Sequence, residues 1–137
     1  MNDNFSVSAI LDASALLALI HEEAGADRVE RAVTGGASIS AINWAEVLSK
    51  LIVEGGDPHD VGALALPGGP ATKLQLIAYT DEHARETAKL VRFTHGLGLS
   101  LADRACLGLA RLRRLPALTT DRPWRSLRIS VTIEVIR

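Results

Sequence analysis

Apolar residues occur along the chain in two patterns: short continuous runs, and longer spaced runs in which the apolar positions recur every three or four residues. The continuous runs predict buried strands, and the spaced runs predict amphipathic helices. The predicted strands are 6–11, 37–40, 73–79, 116–120 and 129–136. The predicted helices are 13–23, 26–33, 41–54, a short one at 57–66, 82–95 and 99–112, with a loop at 67–70.

Strands and helices alternate in this order, which indicates an α/β fold with a mainly parallel sheet of about five strands. The last strand alternates Val131, Ile133 and Val135 with polar residues, so it suits an edge of the sheet. The 137 residues contain no internal repeat, and we expect them to form a single domain over 1–137 with a substantial core.

The composition narrows the class of protein. Hydrophobic residues make up 47% and charged residues 23%, which is typical of a soluble globular protein and excludes a disordered one. No apolar run approaches the ~20 residues of a membrane span. The first residues lack the basic region of a secretory signal. The lone cysteine, Cys106, lies in an apolar helix. We therefore expect a cytoplasmic protein without membrane contact, in which Cys106 is a reduced core residue.

Charge is unevenly distributed along the chain. Residues 1–99 hold 7 Lys/Arg against 13 Asp/Glu, whereas residues 100–137 hold 8 arginines against 3 acids. Arginine favours bidentate contact with phosphate, so the C-terminal third is a candidate nucleic-acid surface. The alternative is that these arginines simply decorate solvated helices.

Four acids are predicted to share one edge of the sheet. Asp12 closes the first strand and Asp121 closes strand 116–120. Glu46 lies in the first half of a helix, and Asp103 lies in the first turn of another. The carboxyl ends of parallel strands and the amino ends of the following helices form the rim where ligands bind. Taken singly, Asp12 is explained as a helix cap, Asp121 as a turn residue and Glu46 as a surface residue.

Asp103 also has a structural explanation, because Ser100 three residues earlier makes a capping-box-like start. Helical phase nevertheless places both helical acids inward. Glu46 shares its side with Ile42, Ser49 and Val53, and Asp103 lies over Cys106, Leu107 and Ala110. The expected solvent-facing stripe of the second helix is Arg104, Gly108 and Arg111.

Clustered carboxylates repel one another unless some are protonated or a cation binds. Oxygen ligands suit Mg²⁺ or Mn²⁺. The four histidines are scattered outside any zinc-binding spacing, so nothing supports zinc. A hard cation held by acids orients and activates water for phosphodiester cleavage, and nearby arginines hold the backbone.

Three blocks carry a family resemblance: "ILDASALLALI", "SISAINWAEVLSKL" and "LSLADRACLGLARLRRLPALTTDRPW", followed by a closing hydrophobic strand. In order and spacing they make the chain resemble PIN-domain ribonucleases, specifically the VapC toxins of type II toxin–antitoxin modules. The resemblance covers essentially the whole chain. It implies a three-layer α/β/α fold and a metal-dependent endoribonuclease that leaves 5′-phosphate and 3′-hydroxyl ends.

The resemblance also implies residue roles. The acidic quartet is Asp12, Glu46, Asp103 and Asp121. In the mechanism that we expect, Asp12 and Asp103 hold Mg²⁺ or Mn²⁺ most directly, and Glu46 and Asp121 complete the site through water or a second ion. The hydroxyls of Ser14 and of Thr119 or Thr120 hydrogen-bond carboxylates or water, although helix capping also explains Ser14.

One position departs from the family pattern. Asn43 stands where a threonine or similar residue is common three positions before the glutamate. The substitution puts the local polar contact in question, and leaves the metal site unaffected.

The resemblance extends to partners. It implies an RNA substrate, tRNA or rRNA, whose cleavage inhibits translation, a homodimer, and a small VapB-type antitoxin whose tail blocks the acidic groove. Arg104, Arg122 and Arg125 are the candidate RNA-binding residues. The chain has no helix-turn-helix signal, so we expect DNA contact only through the antitoxin. Trp44 and Trp124 are expected in the core, with an assembly interface as the alternative.

Two other functions compete with the nuclease. A receiver-type phosphoacceptor domain needs an acidic pair after its first strand and a late lysine, but only Asp12 follows that strand and no lysine follows Lys89. A non-toxin PIN-like protein, acting in RNA processing or as a non-catalytic scaffold, remains the alternative. Loss of some acids is expected of a scaffold, whereas this chain keeps all four.

Overall fold

The computed structural model describes residues 7–137, so the first residue of predicted strand 6–11 lies outside the described part. The strands are β1 (Ile10–Leu11), β2 (Ala37–Ser40), β3 (Leu74–Ile77), β4 (Ala117–Thr119) and β5 (Ile133–Val135). The helices are α1 (Ala13–Ile20), α2 (Ala26–Gly35), α3 (Ala41–Val53), α4 (Asp81–Lys89), α5 (Val91–Thr94) and α6 (Leu101–Arg113), with a 3₁₀ turn at Arg122–Ser126.

The five strands form one sheet in the order β3-β2-β1-β4-β5, and every neighbouring pair is parallel. The predicted parallel α/β sheet is therefore confirmed, with β5 at an edge. From β1 the chain moves outward to β2 and β3, then crosses back to form β4 on the other side of β1. This reversal makes the carboxyl ends of β1 and β4 the switch point, where open α/β sheets bind ligands.

Successive strand residues face two separate cores, which makes the fold three-layered. Leu11 and Leu118 pack into a cluster with α1, α2 and α3. Ile10 and Ala117, their neighbours in sequence, pack into a second cluster with α6. The second cluster also contains Cys106 and Trp124, which are both fully buried. Trp44 is partly buried and packs against the first cluster. The predicted α/β/α architecture and the core positions of both residues in the second cluster are confirmed.

The predicted helix at 57–66 is wrong. The side chain of Asp57 accepts a hydrogen bond from the backbone N–H of His59 (2.8 Å), and Asp60 N–H bonds back to the carbonyl of Asp57 (2.9 Å). One turn forms, as expected where aspartate precedes proline. It does not propagate, because the adjacent Gly62 has φ +84°, a left-handed conformation that ends a helix.

The predicted helix at 82–95 is interrupted. α4 ends at Lys89, and α5 begins two residues later, after the buried Leu90. The N–H of Phe93 donates to the carbonyl of Leu90, three residues back, so the backbone tightens at this junction. The predicted strands 6–11, 73–79, 116–120 and 129–136 are also longer than the strands observed, because pairing with a neighbour ends before the apolar pattern does.

The expected solvent stripe of α6 is also wrong. α4 covers this side of α6, so Gly108 is buried, and a side chain there would lie 3.4 to 3.5 Å from Thr87 and Glu86. Arg111 is half-buried, with Nη1 3.4 Å from Oε2 of Glu86. Arg104 donates from Nε to Oγ1 of Thr94 (2.9 Å). Helical periodicity reveals which side of a helix is apolar, but it cannot tell that a second helix covers the other side.

None of the helices between residues 7 and 137 combines the length and apolar character needed to cross a bilayer.

Candidate active site

A cavity of about 370 Å³ opens at the carboxyl ends of β1 and β4. All four acids singled out in the sequence line it. The complete lining is Asp12, Ala13, Ser14, Glu46, Lys50, Asp103, Thr120 and Asp121. These residues come from four distant parts of the chain, and the parallel topology brings them to one edge.

Asp12 is the most buried acid of the cavity, with 5% of the residue exposed. It follows β1 directly and caps α1, where Oδ1 accepts from the backbone N–H of Ala15 (2.8 Å). Its other partners are hydroxyls: Ser14 donates to Oδ1 (2.7 Å) and Thr119 donates to Oδ2 (2.5 Å). Helix capping and cavity lining are therefore performed by the same side chain.

The two hydroxyls tie Asp12 to the end of β4. Oγ of Ser14 accepts from the backbone N–H of Thr120 (2.9 Å), and Oγ1 of Thr119 accepts from the N–H of Asp121 (3.0 Å). Ser14 and Thr119 therefore lock the carboxylate between α1 and β4. Thr120 lines the cavity but bonds this network through its backbone only.

Burial is the main reason why the pKa of Asp12 rises from 3.8 to about 6. Hydrogen bonds from Thr119, Ser14 and the Ala15 N–H counteract the rise, and the negative charge of Asp103 adds to it. The buried thiol of Cys106 responds to the same charges. Burial, then the charges of Asp12, Asp103 and Glu46, hold its pKa well above the usual value.

Asp103 also combines two roles. It sits at the third position of α6 in a capping box: its N–H donates to Oγ of Ser100 (3.1 Å), and its Oδ2 accepts from the Ser100 N–H (2.9 Å). The predicted capping box is confirmed. The cap fixes the carboxylate in the lining of the cavity, where its negative charge acts on Asp12.

Glu46 projects from α3 with about a third of its side chain exposed, and its Oε2 lies 4.0 Å from Nζ of Lys50. One turn earlier, the buried Asn43 donates from Nδ2 to the carbonyl of Ala102 (2.9 Å), beside Asp103. The asparagine thus links the two helices that carry these acids. Its Oδ1 has no hydrogen-bond partner among residues 7–137.

Asp121 is exposed, and its carbonyl accepts from Trp124 N–H (3.1 Å) to begin the 3₁₀ turn. Arg122 and Arg125 lie exposed on that turn. Neither they nor Arg104 lines the cavity.

Within residues 7–137, no three His, Cys, Asp or Glu side chains are grouped closely enough to hold one metal ion by themselves. The acids instead stand around the wall of the cavity. The donor atoms they offer are carboxylate oxygens, with the hydroxyls of Ser14 and Thr120 beside them.

A larger groove, of about 520 Å³, lies elsewhere, between α1, α2 and residues 61–65. Apolar residues such as Leu19, Ile20 and Val61 form part of its lining, and Glu22, Glu23, Asp27 and Glu30 contribute acidic groups. None of the four cavity acids lines it.

Comparison with protein families assigns the fold. The model of the PIN domain matches residues 9–129, which is most of the chain. The chain belongs to the PIN domain family. PIN domains are nucleases, so the acid-lined cavity lies in a nuclease fold. The match starts before Asp12 and ends after Asp121, and so spans all four acids.

Solved structures agree with this fold. A toxin–antitoxin complex from Klebsiella pneumoniae has a chain 21% identical, with a TM-score of 0.66 over 92% of this chain and 100% of that one. The sarcin–ricin loop cleaving toxin VapC20 from Mycobacterium tuberculosis is 14% identical, with a TM-score of 0.69 over 91% and 99%. DNA-bound VapBC from Salmonella typhimurium is 18% identical, with a TM-score of 0.62 over 94% and 98%. At these identities the likeness shows the fold alone. No curated protein sequence matches the chain.

Sequence reasoning missed the basic residue of this PIN domain's cavity. Lys50 lies four residues after Glu46 in α3, a spacing that puts two side chains on the same side of a helix. That spacing was the available signal. Sequence reasoning also missed the contact made by Asn43. This asparagine stands where another residue is more usual, yet it donates a hydrogen bond to the carbonyl of Ala102.

Proposed function

We propose that this PIN domain, as a single domain over 1–137, is a divalent-metal-dependent endoribonuclease of the VapC toxin type. One observation carries the proposal: Asp12, Glu46, Asp103 and Asp121 line one cavity at the switch point of a nuclease fold. Bringing four carboxylates together costs stability, because buried and half-buried charges are left without a compensating partner. A non-catalytic scaffold has no need of such an arrangement.

The chemistry of the cavity suits Mg²⁺ or Mn²⁺. Both are hard cations that prefer oxygen ligands, and Mg²⁺ keeps several waters while binding through one or two carboxylates. The separation of the acids around the wall is compatible with this mode, which needs no cluster of three. A cation also offsets the two effects that raise the pKa of Asp12: burial of a charge, and the neighbouring charge of Asp103.

In this proposal Asp12 and Asp103 hold the ion, and Glu46 and Asp121 complete its surroundings through water or a second ion. When bound, the ion supplies Lewis-acid activation of water and neutralises charge on the phosphate. Ser14 and Thr119 keep Asp12 fixed, which limits the rearrangement needed during the reaction. Arg122 and Arg125, exposed beside Asp121, and Arg104 on α6 bind the RNA backbone further away.

The proposed biological role is inhibition of translation by cleavage of tRNA or ribosomal RNA in the cytoplasm. The proposed partners are a small VapB-type antitoxin, which blocks the cavity, and a second copy of the chain. DNA is contacted only through the antitoxin. Support comes from the folds of toxin–antitoxin proteins that resemble this chain, including a DNA-bound complex and a toxin that cleaves the sarcin–ricin loop.

The deciding experiment removes Asp103 and includes a control for the loss of the helix cap that Asp103 also provides. Asp103→Ala breaks the capping box and removes a cavity carboxylate, whereas Ser100→Ala breaks the same box and leaves the carboxylate. We expect Mg²⁺-dependent cleavage of total RNA by the purified protein, blocked by EDTA. Asp103→Ala lowers the rate by roughly a thousandfold, a size typical of losing one electrostatic group from an active site. Ser100→Ala stays close to the original rate.

Cleaved ends should carry 5′-phosphates, and mapping them after induction identifies the RNA. Full activity in folded Asp103→Ala contradicts the proposed site. Absence of cleavage by the purified wild-type protein in Mg²⁺ and in Mn²⁺ favours the scaffold.

A further inference from the structure

The cavity lined by four acids also contains one basic side chain. Among the described residues that line it, Lys50 alone is positively charged. α3 carries it one turn beyond Glu46, so both side chains leave the helix on the same side. Lys50 is therefore a candidate for binding a negatively charged ligand in this cavity.

The pairing between Lys50 and Glu46 leaves the lysine free to move. Nζ lies 4.0 Å from Oε2, at the outer limit of an ion pair, and 52% of the lysine side chain is exposed. Solvent-exposed pairs of this kind contribute little to stability. The lysine stem is flexible, so the ammonium can leave Glu46 at small cost.

RNA must bring a phosphate into a cavity whose other charged side chains are carboxylates. Those carboxylates repel the phosphate, and a cation on the wall offsets the repulsion. Lysine binds phosphate as a point charge and does not require the planar geometry of arginine. Arg104, Arg122 and Arg125 lie outside the lining, so they cannot provide this contact without movement.

We propose that Lys50 binds the RNA phosphate that enters the cavity, exchanging Glu46 for a phosphate oxygen. This assignment rests on the proposed nuclease function and names a substrate-binding residue for it. Binding of the phosphate, and not the chemical step, depends on this side chain.

The test uses Lys50→Met with a matched control. Lys89→Met also removes an exposed lysine that faces a glutamate one turn away, with Nζ 3.9 Å from Oε1 of Glu86, but it lies on α4 outside the cavity. For cleavage of a defined single-stranded RNA oligonucleotide, Lys50→Met is expected to raise KM roughly tenfold, as for loss of one charge-assisted contact, with kcat within about twofold. Lys50→Arg restores most of the affinity, and Lys89→Met behaves as wild type.

Two measurements without turnover complete the test. In an Asp103→Asn background, anisotropy of a labelled oligonucleotide measures binding at several salt concentrations. Lys50→Met is expected to make the slope of log K against log salt shallower by about 0.7, the value for one phosphate contact on a single strand. Mn²⁺ binding to the RNA-free protein, measured by electron paramagnetic resonance, is expected to be no weaker in Lys50→Met.

The outcomes separate this inference from the proposed function. If the wild-type protein cleaves RNA and Lys50→Met matches Lys89→Met in KM and in salt slope, the inference is overturned. A fall in kcat with KM unchanged also overturns it, because the lysine then acts on the acids. If the wild-type protein cleaves no RNA, the nuclease proposal fails, and the anisotropy measurement still decides whether Lys50 contacts a phosphate.

Discussion

The two sides of the acid-lined cavity are built in different ways. On the buried side, Asp12 is held by the hydroxyls of Ser14 and Thr119 and is almost inaccessible to solvent. On the open side, Asp121 is exposed, and Glu46 faces a loosely paired Lys50. One side fixes a carboxylate before any ligand arrives, whereas the other can adjust to the ligand. This division suits the proposed nuclease, which requires a fixed position for the ion and room for a variable RNA strand.

On the buried side, the ionised carboxylate of Asp12 should destabilise the metal-free protein near neutral pH. The pKa of Asp12 is 3.8 when unperturbed and about 6 in the folded protein, so the folded state binds its proton more tightly. Stability therefore falls as pH rises from about 4 to about 6, and the full penalty, on the order of 3 kcal/mol, persists above that range.

Asp12→Asn should remove this penalty. In EDTA at pH 7.5, we expect its free energy of unfolding in urea to exceed that of wild type by up to about 3 kcal/mol, and the gain to disappear near pH 4. Asp121→Asn, on the open side, should show no such gain. Equal pH dependence in wild type and Asp12→Asn would contradict the buried-carboxylate interpretation.

The hydroxyls of the buried side can be compared with each other. Thr119→Val keeps the shape of the side chain but removes the donor to Asp12 and the acceptor for the N–H of Asp121. We expect it to lower the free energy of unfolding by about 2 kcal/mol and to raise the pKa of Asp12 further. Thr120→Val is the control, because Thr120 joins the network through its backbone. Calorimetry with NMR titration of Asp12 measures both effects, and equal behaviour of the two variants would rule out the assigned role of Thr119.

The open side has one buried anchor, Asn43. Asn43→Ala removes the donor to the Ala102 carbonyl, but it also removes an Oδ1 that already lacks a partner. These effects partly offset each other, so we expect a net loss of only about 1 kcal/mol. Ser49→Ala, which removes an exposed bond to Ala45 within the same helix, should stay close to wild type in thermal unfolding. A loss no larger than that of Ser49→Ala would show that α3 is positioned by apolar packing alone.

Sequence patterns predicted the parts of the fold that depend on a continuous apolar surface. α3 and α6 have caps and apolar periodicity that agree with their packing, and their predicted ranges differ from the observed ones by at most two residues. The prediction for segment 57–66 failed because the turn that begins at Asp57 does not continue past Gly62, which has a left-handed conformation. The stripe of Arg104, Gly108 and Arg111 failed because the covering helix is a tertiary contact with no trace in α6 itself.

That the four acids lie at one edge could be predicted from sequence, because topology alone brings strand ends together there. The differences in burial and hydrogen bonding among the four acids could not be predicted. They depend on which hydroxyl reaches Asp12, and Thr119 and Thr120 are equivalent by type until the strand's alternation is known. They also depend on the burial of Asp12, which comes from the strands on both sides of β1.

The position of Cys106 has a practical consequence. The chain has a single cysteine, fully buried in α6, and the charges of three cavity acids act on its thiol. Alkylation of this thiol therefore requires local opening of the core around α6, and a single modified site makes the kinetics simple to interpret. The rate of labelling thus measures how often this part of the core opens, and it can be followed with and without a divalent ion or RNA.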